Sequence, residues 1–128
     1  MEQQLNYQEW FLQSDYDLET AEHMLNSGRY IYCIFMCHLC LEKALKGLYM
    51  KKLNQHAPRL HDLMYFVDEL ALEPDDAHRI FIEWLNEKSI TTRYPEDLRK
   101  MIKDFSRKQT DYVYQQTKTV LQWIKSLL

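Results

Sequence analysis

The chain has 128 residues, of which 46% are hydrophobic and 27% charged, and a formal net charge of -3. A single domain of that length buries a real core without disulfides or metals to staple it. The acidic balance speaks against a general polyanion binder. With only 2 Gly and 3 Pro, and with Leu, Glu, Lys, Gln, Met and Ala abundant, long helices are expected. No apolar run reaches transmembrane length. The acidic N-terminus lacks the apolar segment of a signal peptide, so a cytoplasmic protein with no membrane partner is expected.

Charge is unevenly spread. Residues 1–28 carry six acids and no Lys or Arg, whereas residues 96–128 carry seven bases against four acids. A mild dipole of this kind suits self-association or a charged partner.

From residue 7 to 26, Trp10, Phe11, Ser14, Leu18, Ala21, Met24 and Leu25 fall on one helical stripe. Gly28 suits a left-handed helix end, and a second helix begins at once near Arg29, which predicts an antiparallel hairpin. From Tyr30 to Leu41 this second helix is apolar on nearly every side, with His38 its frankly polar exception. A helix of that kind must be enclosed by others, so it is expected to be the centre of a bundle, ending near 52–54. Pro58 breaks the chain, and a short third helix is expected over 62–70, with Leu63, Phe66, Val67 and Leu70 inward. Pro74 suits the first position of a fourth helix, with Asp75 and Asp76 at its positive end. Its inward face is expected to be Ile80, Phe81, Trp84 and Leu85, and its end near Lys88. Residues 89–105 are the least regular part, with a helical turn at 98–102. Ser106 with Gln109 reads as a capping box opening the last helix, 107–127, whose inward stripe is Val113, Thr117, Val120, Leu121 and Ile124. The fold expected is all-α: one domain over 1–128, an up-and-down antiparallel bundle of four to five helices.

Five features carry chemistry. Cys33, Cys37 and Cys40 share a helix face, but zinc wants a fourth ligand, and buried cysteines behave as small hydrophobes; no metal is expected. Glu42 and Lys46 are an i, i+4 pair with the acid first, ordinarily a solvated pair. The functional alternative has Lys46 or Lys43 binding phosphate in a groove. His61 beside Asp62 suits helix capping, pairing with a carboxylate or acid–base work. Arg93-Tyr94-Pro95 joins a bidentate anion binder, a stacking ring and a stiff turn on a loop. Arg99, Lys100, Lys103, Arg107 and Lys108 form a basic patch, more readily a solvated face than an RNA site.

These segments occur together in one order: Trp10 and Asp17-Leu18-x-x-Ala21, then Gly28-Arg29-Tyr30, Glu42-Lys43-Ala44-Leu45-Lys46, His61-Asp62-Leu63, Thr92-Arg93-Tyr94-Pro95 and Val120-Leu121-x-Trp123-Ile124. That order resembles the HEPN family of small helical domains, over almost the whole chain. The resemblance implies a helical bundle that forms homodimers. Prokaryotic members of the associated type partner a separately encoded minimal nucleotidyltransferase in toxin–antitoxin-like pairs. Other members are metal-independent endoribonucleases with an Arg-x4–6-His motif near the last helix. Here no histidine follows His78, so that motif is absent, and RNA cleavage lacks its obvious proton carrier. The expectation is therefore a non-catalytic nucleotide-binding or interaction module without a cofactor. Its binding residues would be Lys43, Lys46, His61, Asp62, Arg93 and Tyr94, and its partners a second copy, a nucleotidyltransferase and a nucleotide. The alternative is a divergent endoribonuclease toxin pairing Arg93 with His61; RNA is not the favoured partner.

Overall fold

Helix signals dominate the chain locally, and the computed structural model, which describes residues 6–91 and 94–128, consists of helices accordingly. Among the described residues there are six: α1 (Tyr7–Asn26), α2 (Tyr30–Leu53), α3 (Leu63–Glu69), α4 (Asp76–Thr91), α5 (Pro95–Asp104) and α6 (Arg107–Ser126). None is long and apolar enough to cross a membrane. The fold is an all-α bundle built around α2.

The α1–α2 hairpin closes as the sequence predicts. Gly28 takes φ +80, and the Arg29 amide reaches back to the Met24 carbonyl at 2.8 Å, which satisfies carbonyls a helix end leaves orphaned. Asn54 ends α2 in the same left-handed region. The capping box at Ser106 and Gln109 is present in both directions. Ile34, Leu41, Leu45 and Leu48 of α2 pack with Phe66 of α3, Ile82 and Leu85 of α4, and Val120 and Ile124 of α6.

Three expectations need correction. The fourth helix starts at Asp76, not at Pro74, because the Asp75 carboxylate accepts the His78 amide at 2.7 Å and caps the turn; it also runs on past Lys88 to Thr91. On it Ile80 is 67% exposed and Ile82 is buried in its place, since the inward positions Phe81, Ile82 and Leu85 follow the 3.6-residue period. The irregular stretch contains a ten-residue helix, α5. Its start has Pro95 at the first position and Glu96 and Asp97 in the first turn, and its apolar stripe runs Leu98, Met101, Ile102, Phe105, of which Met101 is buried, Leu98 and Phe105 half-buried and Ile102 exposed.

The three cysteines are buried and free. The Cys33 thiol, then burial, raises Cys37 well above the ordinary thiol range, and burial pushes Cys40 up to about 12. All three side chains are fully buried, so these are core thiols, and metal binding or alkylation, which needs the thiolate, is disfavoured at Cys37 and Cys40. A group whose folded pKa is raised stabilises the fold below its unfolded pKa and loses that contribution as pH climbs through the folded value. Alkylation by iodoacetamide at pH 8 is accordingly expected to be slow until denaturant is added, and stability to fall above about pH 9 as the unfolded thiols ionise. Rapid native labelling of all three would place them outside the core.

Candidate functional site

Burial turns the Glu42–Lys46 pair into something other than the solvated pair its spacing suggests. Both residues lie inside the fold, with Lys46 Nζ 3.2 Å from Glu42 Oε2. What covers them is α1. Gly47, one position after Lys46, lets α1 come close: a β-carbon there would stand 2.7 Å from the Phe11 ring and 3.1 Å from the Trp10 β-carbon. That approach brings the Trp10 ring over the Lys46 ammonium at 5.6 Å, a cation–π contact that also shuts out water.

A buried carboxylate needs more than one partner. The second comes from the loop before α3: His61 Nδ1 donates to Glu42 Oε1 at 3.0 Å. His38, one turn earlier on α2, brings its own Nδ1 to 3.9 Å of the same oxygen, and its Nε2 lies 3.4 Å from Asn86 Oδ1 on α4. Asn86 ties the rest together. Its oxygen accepts the Leu63 amide at 2.9 Å, and its amide nitrogen donates to Asp62 Oδ1 at 2.8 Å. Asp62 also caps α3 by accepting the Met64 amide at 3.0 Å. One polar chain thus runs from Lys46 through Glu42 to His61, and through His38 and Asn86 to Asp62.

Chemically, the exposed end of this chain is His61, whose side chain is 61% accessible. The Nδ1–H bond to Glu42 fixes the tautomer and leaves Nε2 as the basic nitrogen. Among the described residues no group of three or more His, Cys, Asp or Glu is arranged to hold a metal ion.

Of the six residues expected to bind, Lys46, His61 and Asp62 belong to this chain. Lys43 does not: it points to α1, with Nζ 2.9 Å from the buried Asp17 Oδ2, an ion contact without hydrogen-bond alignment. Tyr94 is 61% exposed at the N-cap of α5. That helix lies by the first turn of α2, where Leu98 and Ile102 share a recess with Gly28 to Tyr32, while Lys46 sits in the opposite half. Arg93, with Thr92, lies outside the described residues. The basic patch is solvated, although the Arg107 guanidinium reaches the Leu25 carbonyl at 3.5 Å and Asn26 Oδ1 at 3.4 Å. A cation there suits the negative end of α1. Trp10, His38 and Asn86 were missed. His38 was the signal available, as a lone polar residue in an apolar run.

The HEPN domain family model matches residues 7–127. The chain belongs to the HEPN family. The crystal structure of TT1696 from Thermus thermophilus is similar to this HEPN bundle with a TM-score of 0.75 and 22% identity, covering 95% of this chain and 98% of that one. At that identity the likeness concerns the fold. No curated protein matches the chain.

The burial difference between the partners of Glu42 makes a sharp expectation. Glu42→Ala leaves the Lys46 ammonium buried without its carboxylate and should cost about 3–5 kcal/mol. His61→Ala leaves Glu42 Oε1 short of one partner at a place water can reach and should cost less, about 1–3 kcal/mol. Denaturant melts of the two variants check this, and equal losses would contradict a buried Glu42–Lys46 pair.

Proposed function

We propose that this HEPN domain is a non-catalytic interaction module that pairs with a second copy of itself through the open face of α2. One observation carries the reading. The central helix is apolar all round, yet its N-terminal half is not enclosed: Tyr32 is 58% and Phe35 40% exposed, with Met36 and Leu39 half-buried beside them. These four stand at i, i+3, i+4 and i+7, a two-turn apolar seam. Exposed Ile102 of α5 extends it, since it shares a recess with Tyr32. A contiguous apolar patch of this kind marks an interaction surface.

Two of the charges near the seam are compatible with an identical partner. Lys43 is paired with Asp17, and Lys46 with Glu42. A two-fold axis brings each group near its own copy; Lys43 and Lys46 are already neutralised, while Arg29, exposed at the start of the seam and without an ion pair among the described residues, has to keep its head in solvent at the rim. A minimal nucleotidyltransferase as a further partner in a toxin–antitoxin-like pair fits the family resemblance and is part of the proposal. Its docking would use surface outside the seam.

Nucleotide binding finds less support. Lys46 is spent on Glu42, and a phosphate at His61 would approach the carboxylates of Glu42 and Asp62. Endoribonuclease chemistry has one group in its favour, the carboxylate-oriented His61, and lacks the usual histidine after the arginine.

Sedimentation or light scattering of the wild type should report a dimer, and the double variant Tyr32→Ser, Phe35→Ser a folded monomer. A wild-type monomer, or a dimer indifferent to both substitutions, would sink the seam. ATP titrated calorimetrically into the wild type should give no heat. Saturable heat lost in Lys46→Ala would reinstate the nucleotide reading.

A further inference from the structure

A second surface lies between α4 and α6 and is independent of the α2 seam. The two helices run antiparallel but stand apart. Their far ends meet where His78 packs on Trp123 at 5.7 Å, and their near ends where Trp84 meets Phe105 at 6.0 Å. Between them is a cavity of about 630 Å³, within the range of roughly 300–1,000 Å³ usual for small-ligand sites between bundle helices. Its walls are aromatic. Phe81 and Trp84 stack at 6.3 Å with 23° between their planes, Phe105 continues the wall, and Tyr112 faces it from α6.

Two opposite charges stand at the same end of this cavity, on different elements. Lys88, one turn after Trp84, holds its ammonium over the Trp84 ring at 5.8 Å. Asp104, next to Phe105, lines the cavity with it. They are not within ion-pair distance of each other, and the Asp104 carboxylate has no hydrogen-bond or ion partner among the described residues. Asp104 is also the last residue of α5, where the helix dipole disfavours an acid and favours a cation. An aromatic slot, with a cation and an anion left apart at one end, matches a molecule that has an aromatic body and a dipolar head.

We propose that the α4–α6 cavity binds an aromatic zwitterion of the α-amino-acid class, its ring among Phe81, Trp84, Phe105 and Tyr112, its carboxylate on Lys88 and its ammonium on Asp104. A two-point charged head sets orientation, and the aromatic walls supply the apolar contact.

The test uses the full chain and four probes: L-tryptophan, tryptamine without the carboxylate, indole-3-propionate without the ammonium, and indole with neither. Saturation-transfer NMR with titration ranks them. L-Tryptophan should bind saturably and about tenfold more tightly than either singly charged analogue, with indole weakest, since each charge-assisted contact is worth roughly that factor. Lys88→Ala should erase the preference over tryptamine alone, and Asp104→Asn the preference over indole-3-propionate alone. No binding of L-tryptophan, equal binding of all four probes, or a ranking that survives both substitutions would overturn the assignment. So would loss of self-association in Tyr112→Ser, which would make the cavity a contact between copies. If a variant does not fold, the wild-type ranking decides. Neither result depends on Tyr32 or Phe35, so the seam and the cavity stand or fall separately.

Discussion

The Glu42 carboxylate is the constraint on which the middle of this bundle depends. It lies inside the central helix, where an unpaired charge is costly and is tolerated only with partners on each oxygen. Lys46 supplies one from the same helix and His61 the other from a loop. Residues 54–62 form no regular structure, and α3 has only seven residues. The His61 contact and the Asn86 bonds to Leu63 and Asp62 give that segment fixed anchors on α2 and α4. A buried ion pair adds little net stability by itself; what holds α3 against α2 and α4 are the His61 contact and the Asn86 bonds.

The same constraint reaches α1 through Gly47. Within a helix interior glycine costs up to about 1 kcal/mol relative to alanine. In return α1 packs close enough for Trp10 to roof the Lys46 ammonium, which keeps the pair dry and its electrostatics strong. Packing, a special residue and a buried charge are therefore one feature, spread over α1, α2, the 61 loop and α4.

Much of the fold was legible because local rules suffice for long amphipathic helices. The 7–26 stripe, the Gly28 turn, the Ser106 cap and the inward face of α6 all follow from spacing and capping chemistry. Pro95–Asp104 has a helix start and an apolar stripe at Leu98, Met101 and Ile102 that local rules suffice to read as more than a turn. Legibility failed where a side-chain bond or tertiary context decides. Asp75 outcompeted Pro74 for the start of α4 through one such bond. At the site, Glu42 and Lys46 read as solvated because i, i+4 pairs usually are. Their burial comes from Trp10, far back on α1, and from His61. Lys43 and Lys46 are three apart and looked equivalent, yet one faces Asp17 and the other Glu42. Facing is a property of the assembled bundle.

The central helix consequently has two halves with different obligations. Its C-terminal half is closed, since Glu42, Lys46 and Gly47 draw α1 and the 61 loop over it. Its N-terminal half carries equally apolar residues, but α5, which lies beside it, offers only Leu98, Met101 and Ile102, and Ile102 remains exposed with Tyr32 and Phe35. A helix this apolar in water favours any partner that finishes covering it. Among the described residues no element is left over to cover it, because α1 and α6 take other faces of α2, and α3 and α4 are tied down by Asn86. A second copy, as proposed, would bring matching apolar surface to the open half and leave the exposed Arg29 at its rim.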